Sequence, residues 1–500
     1  MRRPARLLLL LAVGTLALLA LPAAAGAEHA NRPSENLRAL GHAPNPATFL
    51  GVPSAQRTVN SDLAFWGNLV FNGNYDGFRI LRRSPGDVDE ISWARCTGDQ
   101  GDIVVWGNIL VRAWNSPAPA DNPATPANET RFCDGEPVPA GFEGMHIFDI
   151  SDLSDPELVG EVELSARPEA DSPGCGTHTL TLVPDLANER VLIYNATSGG
   201  NPALPEPLRE CDWIDIVEVP LDDAGEASHL RREPLEGGHA AHDNGVILGK
   251  ENKLAAASGH MSNVFDIGRN DTPGGSKDNP RLLYTIEEEG VCNVPDDPAN
   301  PMPERPCNGN WHSAAFTWDG EVVILGWEPG GGSEPECEAD DPPVKKSAFF
   351  YDADTGEKLG QWTLPRHQLG RDEATPEAGA ENCTIHNYNT VPTKDGRYIL
   401  VSGNYQAGTW VTDFTDPANP RTLGYSDPPP LPQVTSPTTG QLIDELGGAW
   451  SSYWYNGYIY ESEITKGVNV FRYTGKETRK AIKLRHLNPQ TQEFSLKRKK

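Results

Sequence analysis

The sequence predicts an all-β fold, a seven-bladed β-propeller of four-stranded antiparallel blades. Three observations predict it. Short runs of Val, Ile, Phe, Trp and Tyr alternate with clusters of Gly, Pro, Asn and Asp. Beyond the first residues no amphipathic helix stands out, and 49 Gly and 44 Pro in 500 residues would break long helices often. A strand–turn–strand unit also recurs along the chain, and internal repetition separates a propeller from a sandwich or a barrel.

The chain opens on a leader. Arg2, Arg3 and Arg6 precede an apolar run from Leu7 to Leu21, and Ala25-Gly26-Ala27 follows. Charge, a short apolar run and small residues in that order predict a secretory signal peptide over residues 1–27. Residues 28–60 form an N-terminal segment. Within it, Asn45 to Gly51 resembles a stray fourth strand, Asn419 to Gly424, and is expected to close the ring; Lys480 to Leu487 could serve instead. The propeller is expected over residues 61–488, and residues 489–500 are expected to be a basic, disordered tail.

Within the ring, two copies of the repeat align without a gap. Gly144-Met145-His146-Ile147-Phe148-Asp149-Ile150 runs through a Pro-containing turn into Glu157-Leu158-Val159-Gly160. Gly408-Thr409-Trp410-Val411-Thr412-Asp413-Phe414 runs likewise into Arg421-Thr422-Leu423-Gly424. Asp caps such a turn locally and Pro presets its φ. Weaker copies open at Gly77, Asn263 and Gly467. This unit resembles the LVIVD-repeat family of bacterial surface and secreted proteins, strongly at two blades and loosely at the others. The resemblance implies a propeller and an exported protein; no common activity comes with it.

Another pair of strands precedes each copy, which makes four strands per unit. Seven units begin near Ser61, Gly101, Gly176, His239, Asn310, Cys383 and Gly448. A four-stranded sheet has two apolar faces and buries neither alone; radial stacking buries both and leaves short edges.

Aligning the first strand of every unit isolates one position. It reads Asp62, Asp102, His178, His242, His312, His386 and Trp450 around the ring. His242, not His239, fits the register, because His242 precedes Gly259 by the same spacing as His386 precedes Gly403. The chain has 12 His, and four of them share this position. The first strand of a blade borders the central channel, so these residues are expected to ring one mouth. Imidazole and carboxylate together suit zinc, copper, iron or manganese, and one such ion is the expected cofactor if the ring binds metal. His260, Asn404, Asn74 and Glu461, at or near the end of second strands, are candidates for an outer shell. The same pattern also suits a structural role, each histidine bonding the backbone of the next blade. Trp66, Trp106, Trp318 and Tyr455 recur near the end of the first strand and are read as packing between blades.

Eight cysteines in an exported chain suggest disulfides. In the repeat frame Cys96, Cys175, Cys307 and Cys383 precede a first strand, while Cys133, Cys211 and Cys337 follow a second. The expected pairs are Cys96–Cys133, Cys175–Cys211, Cys292–Cys307 and Cys337–Cys383.

A formal net charge of −28 argues against nucleic acid and anionic lipid as partners. No apolar run after the leader is long enough to span a membrane. Two functions remain. One is an extracellular binding or scaffold protein whose ligand or partner is unspecified. The other is a metal-dependent enzyme, oxidative or hydrolytic, with His178, His242 and His312 as ligands, His386 as a fourth ligand or acid/base, and Asp62 and Asp102 orienting water.

Overall fold

The computed structural model describes residues 33–45, 59–98, 100–119, 131–168, 173–197, 199–201, 203–205, 208–268, 274–288, 309–329, 337, 341–366, 380–435, 440–444 and 447–496. Helical turns among these are short 3-10 segments; the rest of the regular structure is strand, paired antiparallel apart from two short parallel contacts. The units expected from the repeats are meandering sheets. Unit one is Asn60–Trp66, Leu69–Asn74, Gly77–Ser84 and Asp87–Arg95. Unit two begins at Ile103–Trp106, unit three at Thr179–Asp185, unit four at Ala241–Ile247 and unit five at Asn310–Phe316. Each of these five is a separate sheet with its own four strands in chain order.

A sixth sheet is eight-stranded. It contains the strands from Asn387–Thr390 to Arg421–Tyr425 and those from Ala449–Tyr455 to Gly467–Tyr473. A short parallel pairing, Asn387 with Ser451 and Tyr388 with Ser452, joins the two halves. The inner strands touch in ring order, and Asn60–Trp66 meets Ala449–Tyr455 to complete the circle. The architecture is an all-β propeller.

Core clusters lie between sheets, as the two-faced apolar pattern requires. Phe71, Phe78 and Ile80 of unit one pack on Ile103 and Leu110 of unit two. Leu192 and Tyr194 of unit three pack on Val246 and Leu254 of unit four. Each such side chain contributes about 1.5–3 kcal/mol by leaving water.

The ring closes through an earlier segment than the sequence suggested. Leu37–Pro44 pairs antiparallel with Gly467–Tyr473 and supplies the outer strand of the last unit. The expected Asn45 to Gly51 strand begins only where this one has ended; Asn45 donates its backbone N–H to Lys466 O, and residues 46–51 lie outside the described residues. Leu37 and Ala43 are buried there while Arg38 and Leu40 face out.

The C-terminal segment also departs from expectation. Residues 489–496 cross the end of the channel. His486–Leu487 pairs with Phe65 and Trp66, and Thr491–Gln492 runs parallel to Val246 and Ile247. Asn488 behaves as a one-residue strand, accepting from Val105 N at 2.8 Å and donating to Val105 O at 3.0 Å. Thr491 donates to Leu182 O, and Gln492 to Phe316 O and the Thr390 hydroxyl. The segment is expected from its sequence to be a basic, disordered chain end; its amides and hydroxyls instead satisfy inner-strand backbone that the channel leaves open. Residues 497–500 lie outside the described residues.

Three disulfides join Cys96–Cys133, Cys175–Cys211 and Cys337–Cys383. Cys292 and Cys307 lie outside the described residues, as does the leader. No helix among the described residues is long and apolar enough to cross a membrane.

Candidate metal centre

The histidines sit where the inner strands are irregular. The pairing register slips between Asn60 and Leu63, between Ala241 and Asn244, between Trp311 and Ser313, and between Ala449 and Ser451. Asp62, His242, His312 and Trp450 lie within these slips. In the remaining units Asp102, His178 and His386 immediately precede the first paired residue. A bulge re-aims a side chain that regular pleating would send elsewhere. It also explains why consecutive residues, His242 and Asp243, both face the site.

Four imidazoles meet at one end of the channel. The ring centroids of His178 and His242 are 4.3 Å apart, those of His242 and His312 3.8 Å, and those of His312 and His386 4.1 Å. His178 Nε2 lies 3.0 Å from His242 Nε2. Glu328, the last residue of Val322–Glu328, completes the cluster. Its Oε2 is 3.9 Å from His242 Nε2 and 3.7 Å from His312 Nε2, and its Oε1 is 3.8 Å from His386 Nε2. All four Nε2 atoms therefore face inward.

Hydrogen bonding separates the structural reading from the functional one. His386 makes the well-formed bond to the next unit's backbone, its Nδ1 donating to Trp450 O at 2.6 Å; His312 also approaches the His386 backbone, though neither of its nitrogens reaches hydrogen-bond geometry. At the other contacts hydroxyls make that link. Thr179 donates to His242 O and Ser313 to His386 O. His178 Nδ1, His242 Nδ1 and both nitrogens of His312 are buried without a protein hydrogen-bond partner. Unpartnered buried polar atoms are costly and mark a site.

Burial holds the imidazoles neutral. It drives His242 down to about 3 and His386 to about 4, and it pushes His178 and His312 well below the usual histidine range. Neighbouring imidazoles lower His178 and His312 further. Burial raises the Glu328 carboxyl to about 8, with the Tyr405 bond opposing, and the Asp243 carboxyl to about 6. Neutral imidazole is the form a metal requires.

Tyr405 supports Glu328. Its hydroxyl donates to Glu328 Oε1 at 2.9 Å, and its ring lies 4.5 Å from that of His386. Its φ of 44° is a left-handed conformation, costly for a tyrosine, and such strain concentrates at functional sites.

The other sequence candidates are placed differently. Asp62 accepts from Leu63 N, Tyr453 Oη and Gln490 Nε2. Asp102 accepts from Ile103 N and Leu180 N. Their oxygens are engaged in tying strands, so they do not join the histidines as ligands. A carboxylate beside a backbone N–H is satisfied locally, which an imidazole at the same position is not. The His260 ring meets that of His239 edge-on at 4.7 Å, outside the cluster. Asn74 accepts from Asp76 N in a turn, and Glu461 bonds Thr409 and Asn469. Asn404 donates to Gly408 O at 2.9 Å and so holds the turn that presents Tyr405. Of the four outer-shell candidates, it alone acts toward the site.

Glu328 and Asp243 were missed. Glu328 pairs with Asn310 as Asn74 pairs with Asn60, so it falls at the second-strand end that also holds Asn74. A second grouping, Cys96, Cys133 and His146, is a disulfide with a buried histidine beside it.

Fold and cluster together define the class: an all-β propeller with three buried histidines, a fourth largely buried and a glutamate converging at one end of its channel. No protein-family model matches the sequence, and no curated protein matches it. Among solved structures the chain is similar to the periplasmic gluconolactonase of Pseudomonas aeruginosa, at 12% identity over 81% of this chain and 87% of that one, with a TM-score of 0.43.

Proposed function

We propose that this protein is an exported seven-bladed propeller of LVIVD type that binds one first-row transition metal ion between His178, His242, His312 and His386 and uses it in oxidative or hydrolytic chemistry on a small extracellular molecule. The observation that carries the reading is the convergence of four neutral imidazoles whose Nε2 atoms turn toward one another, with the inward Nε2 of His312 buried and unpartnered. The 3.0 Å between His178 Nε2 and His242 Nε2 suits two nitrogens on one ion, which lie roughly 2.9–3.4 Å apart for bonds near 2.0–2.1 Å.

A bound divalent ion would supply Lewis acidity or, if redox-active, electron transfer. The chain's own residues do the rest. The Trp450 carbonyl fixes the tautomer of His386, leaving its Nε2 free to face the cluster. Tyr405 holds Glu328 against three imidazoles and offsets part of the ion's charge through it. Thr179 and Ser313 clamp the strands that carry His242 and His386.

Seven blades are supported by the core clusters, one for each contact between neighbouring units, including Leu63 and Phe65 against Tyr453 and Tyr460 where the ring closes. Export is supported by the leader and by three disulfides, which persist in oxidising compartments. The scaffold alternative rests on the family resemblance and on long irregular loops, most of which lie outside the described residues.

Elemental analysis of untagged protein, before and after incubation with Fe(II), Cu(II), Mn(II) or Zn(II), tests the proposal. One ion per chain is expected, lost when His242 and His312 are both replaced by Ala. No uptake of any of the four, or stoichiometric metal retained in the double variant, would sink it.

A further inference from the structure

The far end of the channel carries a second site. Inner strands begin at the histidines, so their last residues lie at the opposite face. Trp66 and Trp106 end two of these strands, and Trp318 follows a third. The C-terminal segment crosses this face and leaves a groove of about 960 Å³ between itself and the ring. That is the size range of small-molecule pockets.

Two aromatic walls bound the groove. On one side the His486 ring lies flat on Trp66, with centroids 4.2 Å apart and planes 9° from parallel, and Trp106 meets His486 edge-on at 5.1 Å. On the other, Trp318 and Phe494 lie 5.0 Å apart. Trp66 and Trp106 meet edge-on across neighbouring units at 5.5 Å and pack against the core there, yet both stay half-buried and line the groove with the part left exposed. Phe494 and Leu186, both lining the groove, stay 36% and 55% exposed, which is unusual for large apolar side chains with a core available.

Charge narrows the occupant. Lys483 and Arg485 line the groove, are exposed, and form no ion pair among the described residues. In a chain of net charge −28 two free cations beside aromatic walls are out of character. Glu493, the carboxylate lining the groove, is engaged by His486 Nε2 at 2.5 Å.

We propose that this groove binds a small organic anion with a flat apolar body, such as an aromatic carboxylate or sulfonate. Its ring would lie between the two aromatic walls and its anionic group would face Lys483 and Arg485. The site is independent of the histidine cluster.

The test uses three naphthalene probes of one shape: 2-naphthoate, neutral 2-naphthamide and cationic 2-naphthylmethylammonium. Binding is followed by calorimetry on the full-length protein. The carboxylate is expected to bind about tenfold more tightly than the cation. Lys483→Gln with Arg485→Gln, both at exposed positions, should weaken naphthoate about five- to tenfold and leave naphthamide unchanged. Phe494→Ala should weaken both. Absence of naphthoate binding at millimolar concentration, equal binding of the cation, or affinity indifferent to these variants would overturn the proposal. Loss of naphthoate binding in the His242→Ala, His312→Ala protein would place the anion at the histidines instead, and would overturn it equally.

Discussion

Replacing Glu328 by Gln should change metal-free stability and metal affinity in opposite directions. The carboxyl is buried against three imidazoles and accepts one hydrogen bond, from Tyr405. Burial raises it from 4.5 to about 8. A raised carboxyl keeps its proton in the folded state while the unfolded chain loses it. Stability is therefore full below about pH 4.5 and is lost as pH climbs through the folded value. The slope is about 1.4 kcal/mol per pH unit, so between about pH 5 and pH 8 the carboxyl should cost the metal-free protein about 3–4 kcal/mol. Gln keeps the shape and can still accept from Tyr405 but has no proton to lose. Urea unfolding of chelator-treated protein across that range should show the variant gaining on the parent steadily as pH rises. With metal the sign reverses, since removing a carboxylate that supports ligands typically costs 10–100-fold in affinity. Parallel pH profiles would refute the reasoning, because they would mean the carboxyl is already ionised against a protonated histidine.

Two further outcomes follow from buried groups elsewhere. Asn488→Ala strips both partners from the backbone of the buried Val105, and with about 1–3 kcal/mol for each unsatisfied group it should destabilise by about 2–6 kcal/mol; urea unfolding measures the loss, and unchanged exchange of the Val105 amide hydrogen would contradict it. His146 is held at about 3, chiefly by burial and then by Arg112, so it stays neutral in the fold while the unfolded chain takes a proton below about 6.5. Its contribution is present above that pH and is lost on acidification, by about 2 kcal/mol at about pH 5; His146→Gln should remove that share of the acid sensitivity, as read from unfolding free energies at about pH 5 and pH 8.

The repeat was legible because each blade solves the same packing problem with the same residue types. Gly144 to Gly160 and Gly408 to Gly424 share strand, turn and strand because both bury one face against each neighbour. That frame placed His178, His242, His312 and His386 in one column and paired six of the cysteines. It did not separate the histidines from Asp62 and Asp102. A column fixes where a side chain starts, while backbone amides such as Ile103 N and Leu180 N decide whether it is already satisfied.

What the sequence determined by itself is local and periodic: strands, turns, the blade as a unit, and the column of polar residues at each inner-strand start. What only the tertiary structure decided depends on groups distant along the chain. Closure falls to Leu37–Pro44 because the strand Gly467–Tyr473 has an open edge for it. The C-terminal segment is ordered because inner strands leave amides and carbonyls facing the channel. Glu328 and Tyr405 enter the cluster because units five and six are neighbours in the ring, which brings a carboxyl and a phenol 77 residues apart into a hydrogen bond. Periodicity encodes the faces that pack; it carries no record of which polar groups remain unsatisfied once packing is complete.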